Sequence, residues 1–159
     1  VVAPEPNTSR ELLDSIKADL KVAGRSVFVQ EYGAPTPMLL DGLTALGARV
    51  GRVGVYRWQL PADLGPLEHA IAQLCDGKID VALFTSARQI VHLLQVAEQC
   101  GRAEETRSAL DRIVVGSIGP VTTEALLAAD VSVDTEPDHP KMGQLVSHVA
   151  RFWQQRAQS

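Results

Sequence analysis

No apolar run in this chain approaches the ~18 residues that a membrane-spanning helix needs, and no signal-peptide pattern is visible at its start. Cysteine is nearly absent. Cys75 and Cys100 fall in helix-like segments without metal-ligand spacing, and read as free thiols in a reducing cytoplasm. Basic charge does not dominate either: 15 Lys and Arg face 19 Asp and Glu, for a net charge of −4 and a pI near 5.5. A general nucleic-acid-binding surface is therefore disfavoured. The phosphate-binding signatures GxxxxGK[ST] and GxGxxG do not occur, so nucleotide binding finds no support. No Ser-His-Asp or Cys-His arrangement is legible, and the four histidines are scattered. His69 and His92 lie in helical segments and His148 near the end, so no metal site is expected. Only His139, beside a strand end, stands where it could touch a ligand.

What remains is an ordinary folded composition, 45% hydrophobic and 21% charged over 159 residues, long enough to bury a core. Short valine-rich runs alternate with helical patterns. VVAPEP (1–6) reads as a strand end, and TSRELLDSIKADL (8–20) as a helix opened by a capping box, Thr8 with Glu11. SVFVQEYG (26–33) reads as a strand, then Thr36-Pro37 opens a helix with proline at its first position. ARVGRVGVYRW (48–58) is a strand, 66–74 a helix, and DVALF (80–84) a strand apolar enough to be buried on both faces. SARQ (86–89) is a second capping box. A charged stretch with a short helix follows, then a strand at 113–117, a helix at 122–129, a strand at 131–134 and a terminal helix near 143–155. Alternation of this kind predicts an α/β fold: a doubly wound, flavodoxin-like parallel sheet of about five strands with helices on both faces. The chain is expected to be a single α/β domain, 1–159.

Two segments look alike. VFVQEYGAPTPMLL (27–40) aligns without gaps to IVVGSIGPVTTEAL (113–126), an offset of 86 residues that matches Gly33 to Gly119, Thr36 to Thr122 and Leu40 to Leu126. Two unrelated βα units would share part of this pattern. Three strand ends run into polar, capped helix starts: Gly33 to Thr36, Thr85-Ser86-Ala87, and Gly119-Pro120-Val121-Thr122. In an open parallel sheet such loops lie on the carboxyl edge, where ligands bind. Free amides and the partial positive charge of a helix start suit a carboxylate or phosphate, and hydroxyls add neutral donors. An acidic protein can bind an anion in this way without a basic surface. The bland alternative is that Gly, Ser and Thr serve only as caps.

At these residues the chain resembles the uroporphyrinogen-III synthase family. The resemblance is carried by VGVYRWQLP (53–61), DVALFTSARQIVHLL (80–94), VVGSIGPVTTEALLAADVSVDTEPDHPKMGQLV (114–146) and, more weakly, VFVQEYGAPTPMLL (27–40). It implies an enzyme that cyclises hydroxymethylbilane to uroporphyrinogen III, inverting the last pyrrole ring with loss of water. No metal or organic cofactor is implied. The implied partner is a polycarboxylate linear tetrapyrrole, with neither nucleic acid nor membrane, in the cytoplasm. Tyr56 matches the family's candidate acid in the Val-Tyr segment, although a strand-anchoring tyrosine is the plain alternative. Gly33, Thr36, Thr85, Ser86, Ala87, Gly119, Pro120, Val121, Thr122, His139 and Lys141 are the implied substrate contacts.

Family members have two similar α/β domains joined by a two-stranded linker and are longer than this chain. Segment 1–58 resembles the later half of the second domain, 59–79 a linker and helix, and 80–159 the later half of the first domain. The expectation is a partial chain, with the opening βαβ unit of the first domain and the first half of the second absent. Two completions are open: residues 27–58 dock beside 80–159 to finish one sheet, or a homodimer forms by exchange of halves. Two other functions compete with the enzyme. One is a non-catalytic tetrapyrrole- or anion-binding module of a larger regulatory protein. The other, a receiver domain of the same topology, lacks the acidic cluster and the lysine it needs.

Overall fold

Helix α1 (Ser9–Asp19) starts where the capping box stands. The Arg10 amide donates to the Thr8 hydroxyl at 3.2 Å and the Thr8 amide to the Glu11 carboxylate at 2.9 Å, satisfying donors that a first turn leaves open. The chain before it is not strand at residues 2–6, contrary to the expected strand end. This computed structural model describes residues 2–31, 33, 35–55 and 58–156. They fall into two compact units, Val1–Gln59 and Leu60–Ser159.

In the first unit, β1 (Ser26–Glu31) is followed by α2 (Pro37–Ala45) and β2 (Arg49–Gly54). Pro37 occupies the first turn of α2, as its fixed φ and missing amide favour. The two strands pair in parallel from Ser26↔Arg49 to Glu31↔Gly54. Alternation along β1 sends Val27 and Val29 toward the helices and Phe28 away from them. Leu13, Leu39, Leu43 and Ala48 form the core with those valines and Val50, whereas Phe28 stays 73% exposed. Arg52 spans the pair, donating from Nε and Nη2 to the two Glu31 carboxylate oxygens at 2.8 and 3.0 Å.

The second unit contains α3 (Gly65–Cys75), β3 (Val81–Phe84), α4 (Ala87–Gln99), α5 (Ala103–Leu110), β4 (Val114–Ser117), α6 (Pro120–Leu127) and α7 (Met142–Arg156). β3 and β4 pair in parallel, Val81↔Val114 to Phe84↔Ser117. One core gathers Leu74, Phe84, Ile90, Leu110, Val115, Leu126 and Val131. On the opposite face of β4, Val114 packs with Leu145 and Val149 of α7. Gly116 makes that approach close: a Cβ there would lie 2.5 Å from the Val149 side chain.

The expected five-stranded sheet does not form among the described residues. They hold two separate two-stranded parallel sheets. The third strand expected at 131–134 is reduced to one parallel bridge, Gly116↔Thr135. Its shortness has a local cause. The Val115 amide donates to the Asp134 side chain at 2.7 Å, while the Val115 carbonyl accepts from the Asp134 amide at 2.9 Å, so a side chain takes a place that a longer ladder would fill. The strand buried along its whole length is β4 rather than β3. β3 has a described neighbour on one side only, and its Leu83 is 39% exposed.

Candidate functional site

In the second unit, parallel pairing delivers consecutive strand ends to one edge. Phe84 stands beside Ser117, and the Ile118 amide donates to the Phe84 carbonyl at 2.9 Å. Residues 85–87 and 119–122 therefore leave the pair side by side. The Ser117 amide donates to the Thr135 carbonyl at 3.0 Å, and the parallel bridge there sends 136–141 to the same edge. The helices α4, α6 and α7 begin here. All of the second unit's expected contact residues thus share the carboxyl edge. Gly33 and Thr36 belong to the first unit, at the corresponding end of β1. Tyr56 lies outside the described residues.

The α6 start is built from below. Ser117 is fully buried, and its hydroxyl donates to the Gly119 carbonyl at 3.1 Å and lies 3.4 Å from the Gly119 amide. Pro120 occupies the first turn. The helix consequently starts two residues before the expected Thr122, whose amide and that of Thr123 both donate to the Gly119 carbonyl at 3.0 Å. Gly119 has extended φ, which any residue adopts. What asks for glycine is Pro140, because a Cβ at Gly119 would lie 3.2 Å from the Pro140 side chain. The loop carrying His139 and Lys141 is thereby pressed against the α6 turn. Lys141 opens the next helix, its carbonyl accepting from the Gln144 and Leu145 amides at 3.0 Å. Both His139 and Lys141 are exposed.

Thr122 is 4% exposed. Its hydroxyl bonds to no protein group among the described residues, yet no fully buried side-chain oxygen there lacks a partner. The sliver of Thr122 that reaches solvent accordingly includes its hydroxyl oxygen, which no protein group among the described residues occupies.

The α4 start differs from expectation. The capping box at Ser86 forms: the Arg88 amide donates to the Ser86 hydroxyl at 3.2 Å. The Gln89 side-chain oxygen accepts from the Thr85 amide at 2.7 Å and the Ser86 amide at 3.2 Å. Two donors expected to be free for a ligand are already occupied. Ala87 and Val121 keep first-turn amides without a partner among the described residues. Thr36, the N-cap of α2, is exposed and makes no side-chain cap bond. Gly33 adopts φ +77°, and a Cβ there would overlap the Trp58 indole at 1.9 Å, so glycine is required both by the backbone and by the ring.

Sequence reasoning missed Ser117, Gln89 as a competitor for the loop amides, and the pair Thr123–Glu136. Gln89 was visible as the fourth residue of the capping box. The Thr123 hydroxyl donates to the Glu136 carboxylate across 13 positions, a pairing that only the fold creates.

The comparisons agree with one another. The sequence profile of the family described as uroporphyrinogen-III synthase HemD matches residues 1–147. A Methanothermobacter thermautotrophicus protein, provisionally named a uroporphyrinogen-III synthase, is 35% identical over 125 residues, 79% of this chain and 48% of that protein. An uncharacterized Bacillus subtilis protein, YjjA, is 26% identical over 153 residues, 96% of this chain and 56% of its own length. The crystal structure of uroporphyrinogen III synthase from the extremely thermophilic bacterium Thermus thermophilus superposes with a TM-score of 0.61 at 29% identity, covering 95% of this chain and 56% of that one. The chain spans about half the length of the relatives it matches.

Proposed function

This chain belongs to the uroporphyrinogen-III synthase family, and from that premise we propose that it serves the closure of hydroxymethylbilane to uroporphyrinogen III. The observation that carries the reading is the family match over 1–147, which spans every segment of the carboxyl edge. The substrate is a polycarboxylate, and the edge is suited to such a ligand. The Ala87 and Val121 amides, the Thr122 hydroxyl and Lys141 offer donors at three helix starts, each of which favours negative charge by about 0.3–1 kcal/mol, and His139 stands exposed on the same segment as Lys141. Thr85 and Ser86 join them when a carboxylate displaces the Gln89 oxygen. Gly33 and Thr36 bind in the same manner at the end of β1.

The reaction begins with loss of the hydroxymethyl oxygen as water, which leaves an electrophilic azafulvene. Tyr56 is the proposed acid: its neutral phenol gives a proton to the departing oxygen, and ring closure with inversion follows. A positioned acid of this kind contributes about 10²–10⁴-fold. The enzyme class is a cyclising hydro-lyase, and the reading calls for no cofactor. A cytoplasmic location belongs to the same proposal; no helix among the described residues is long and apolar enough to cross a membrane.

The second reading is a polycarboxylate-binding module without turnover, favoured by the Ala87 and Val121 amides and the Thr122 hydroxyl, donors that can hold a carboxylate without any acid catalyst. One assay separates the two. Freshly made hydroxymethylbilane is fed to the purified chain, the products are oxidised, and type I and type III porphyrins are separated. The enzymatic reading expects type III above the spontaneous type I background, and a fall of about 10²-fold in its rate for Tyr56→Phe. Type I alone, with a porphyrin still bound, would establish the binding module.

A further inference from the structure

Glu136 is out of place on an edge proposed to receive carboxylates. Its charge opposes such a ligand, and at a helix start lacking other acids it stands within reach of Thr123. The hydrogen bond between them joins the first turn of α6 to the chain just after the Gly116↔Thr135 bridge. Farther along the same segment, Pro140 presses on Gly119. The stretch from 136 to 141 is therefore hydrogen-bonded to α6 through Thr123 at one end, and at the other Pro140 lies near enough to Gly119 to leave little room for a side chain there. Between and beside those points stand His139 and Lys141, both exposed.

We propose that Thr123 and Glu136 form a positioning latch, which holds the 136–141 segment so that Lys141 and His139 face the same ligand carboxylate as the Thr122 hydroxyl. The inference rests on the polycarboxylate reading of this edge and adds two positioning residues to it. Neither need touch the ligand. The latch costs some electrostatic repulsion and returns a fixed geometry, and binding to a preset site loses less conformational freedom. The acceptor atom of Glu136 matters to the latch; its charge does not. That distinction makes the proposal testable.

Uroporphyrin III, a fluorescent octacarboxylate that the chain cannot turn over, is the probe. Affinity is measured by fluorescence titration for wild type, Thr123→Val, Thr123→Ser, Glu136→Ala and Glu136→Gln. In parallel, ligand-free protein is digested briefly with trypsin and the rate of cleavage after Lys141 is followed. Thr123→Val and Glu136→Ala are expected to weaken binding about 5- to 20-fold and to speed cleavage at Lys141 several-fold. Thr123→Ser keeps the hydroxyl and should restore both. Glu136→Gln keeps an acceptor and removes the charge, so it should leave cleavage slow and bind at least as tightly as wild type. Unchanged cleavage in Thr123→Val and Glu136→Ala would overturn the latch, as would faster cleavage with wild-type affinity. Weakening by Glu136→Gln equal to that by Glu136→Ala would overturn it too, by showing that the charge itself is used. Failure of wild type to bind the probe would instead remove the polycarboxylate reading, and the positioning role with it.

Discussion

Gly33 and Gly119 occupy matched places in the internal repeat and are glycine for different reasons. At Gly119 the backbone is extended and only Pro140 stands in the way of a side chain. At Gly33 the positive φ and the Trp58 indole both exclude one. Gly33→Ala is expected to destabilise the first unit by about 1–2 kcal/mol, from left-handed backbone in a residue with a Cβ and a displaced ring. The emission of Trp58 should move to the red while that of Trp153 stays unchanged, which single-tryptophan variants would read. An unshifted Trp58 would mean that the ring does not rest on this glycine. Thr122 and Thr123 make the complementary point: adjacent, chemically identical and both polar, one is nearly buried, with only a sliver that includes its hydroxyl reaching solvent, and the other bonds to Glu136. Nothing in the sequence distinguishes them, since their roles follow from the turn of the helix they start.

At the scale of the element, the two capping boxes were legible and carry measurable consequences. Ser86→Ala should lower stability by about 1 kcal/mol, and thermal unfolding followed by circular dichroism would detect it. In α1, the hydrogen bond from the Thr8 hydroxyl holds the Glu11 carboxyl below its usual value of 4.5. A carboxyl depressed in the folded state stabilises fully above its unfolded value and loses that contribution as pH falls through the lower folded one. The stability difference between wild type and Glu11→Gln is therefore expected to be constant near neutrality and to shrink below about pH 4.5. A difference that persisted well into the acid range would exclude the carboxylate as its source. Helix α2 likewise begins at the predicted proline. The strand at 131–134 was not legible as a near-miss, because the Asp134 side chain that interrupts its ladder acts on Val115, a residue 19 positions away.

For the whole molecule, two units with separate cores predict two unfolding transitions. The first unit rests on Leu13, Leu39, Leu43 and Ala48, the second on three clusters built over β3, β4 and their helices. With the smaller core in the first unit, urea should release Trp58 before Trp153. Leu43→Ala, at a side chain 1% exposed, should cost about 2–4 kcal/mol and shift the first transition alone; Leu126→Ala should shift only the second. One transition common to both tryptophans would show that the units unfold together. The homodimer by exchange of halves remains a proposal that sedimentation equilibrium would test directly. The sequence by itself determined the family, the α/β alternation, most helix starts and the glycine-threonine loops, because those depend on local periodicity and on residues a few positions apart. Tertiary structure decided which strands share a ladder, how the donors at the edge are spent, and that Glu136 meets Thr123. Each of these depends on groups far apart in the chain competing for the same hydrogen-bonding partners, a contest that no local pattern records.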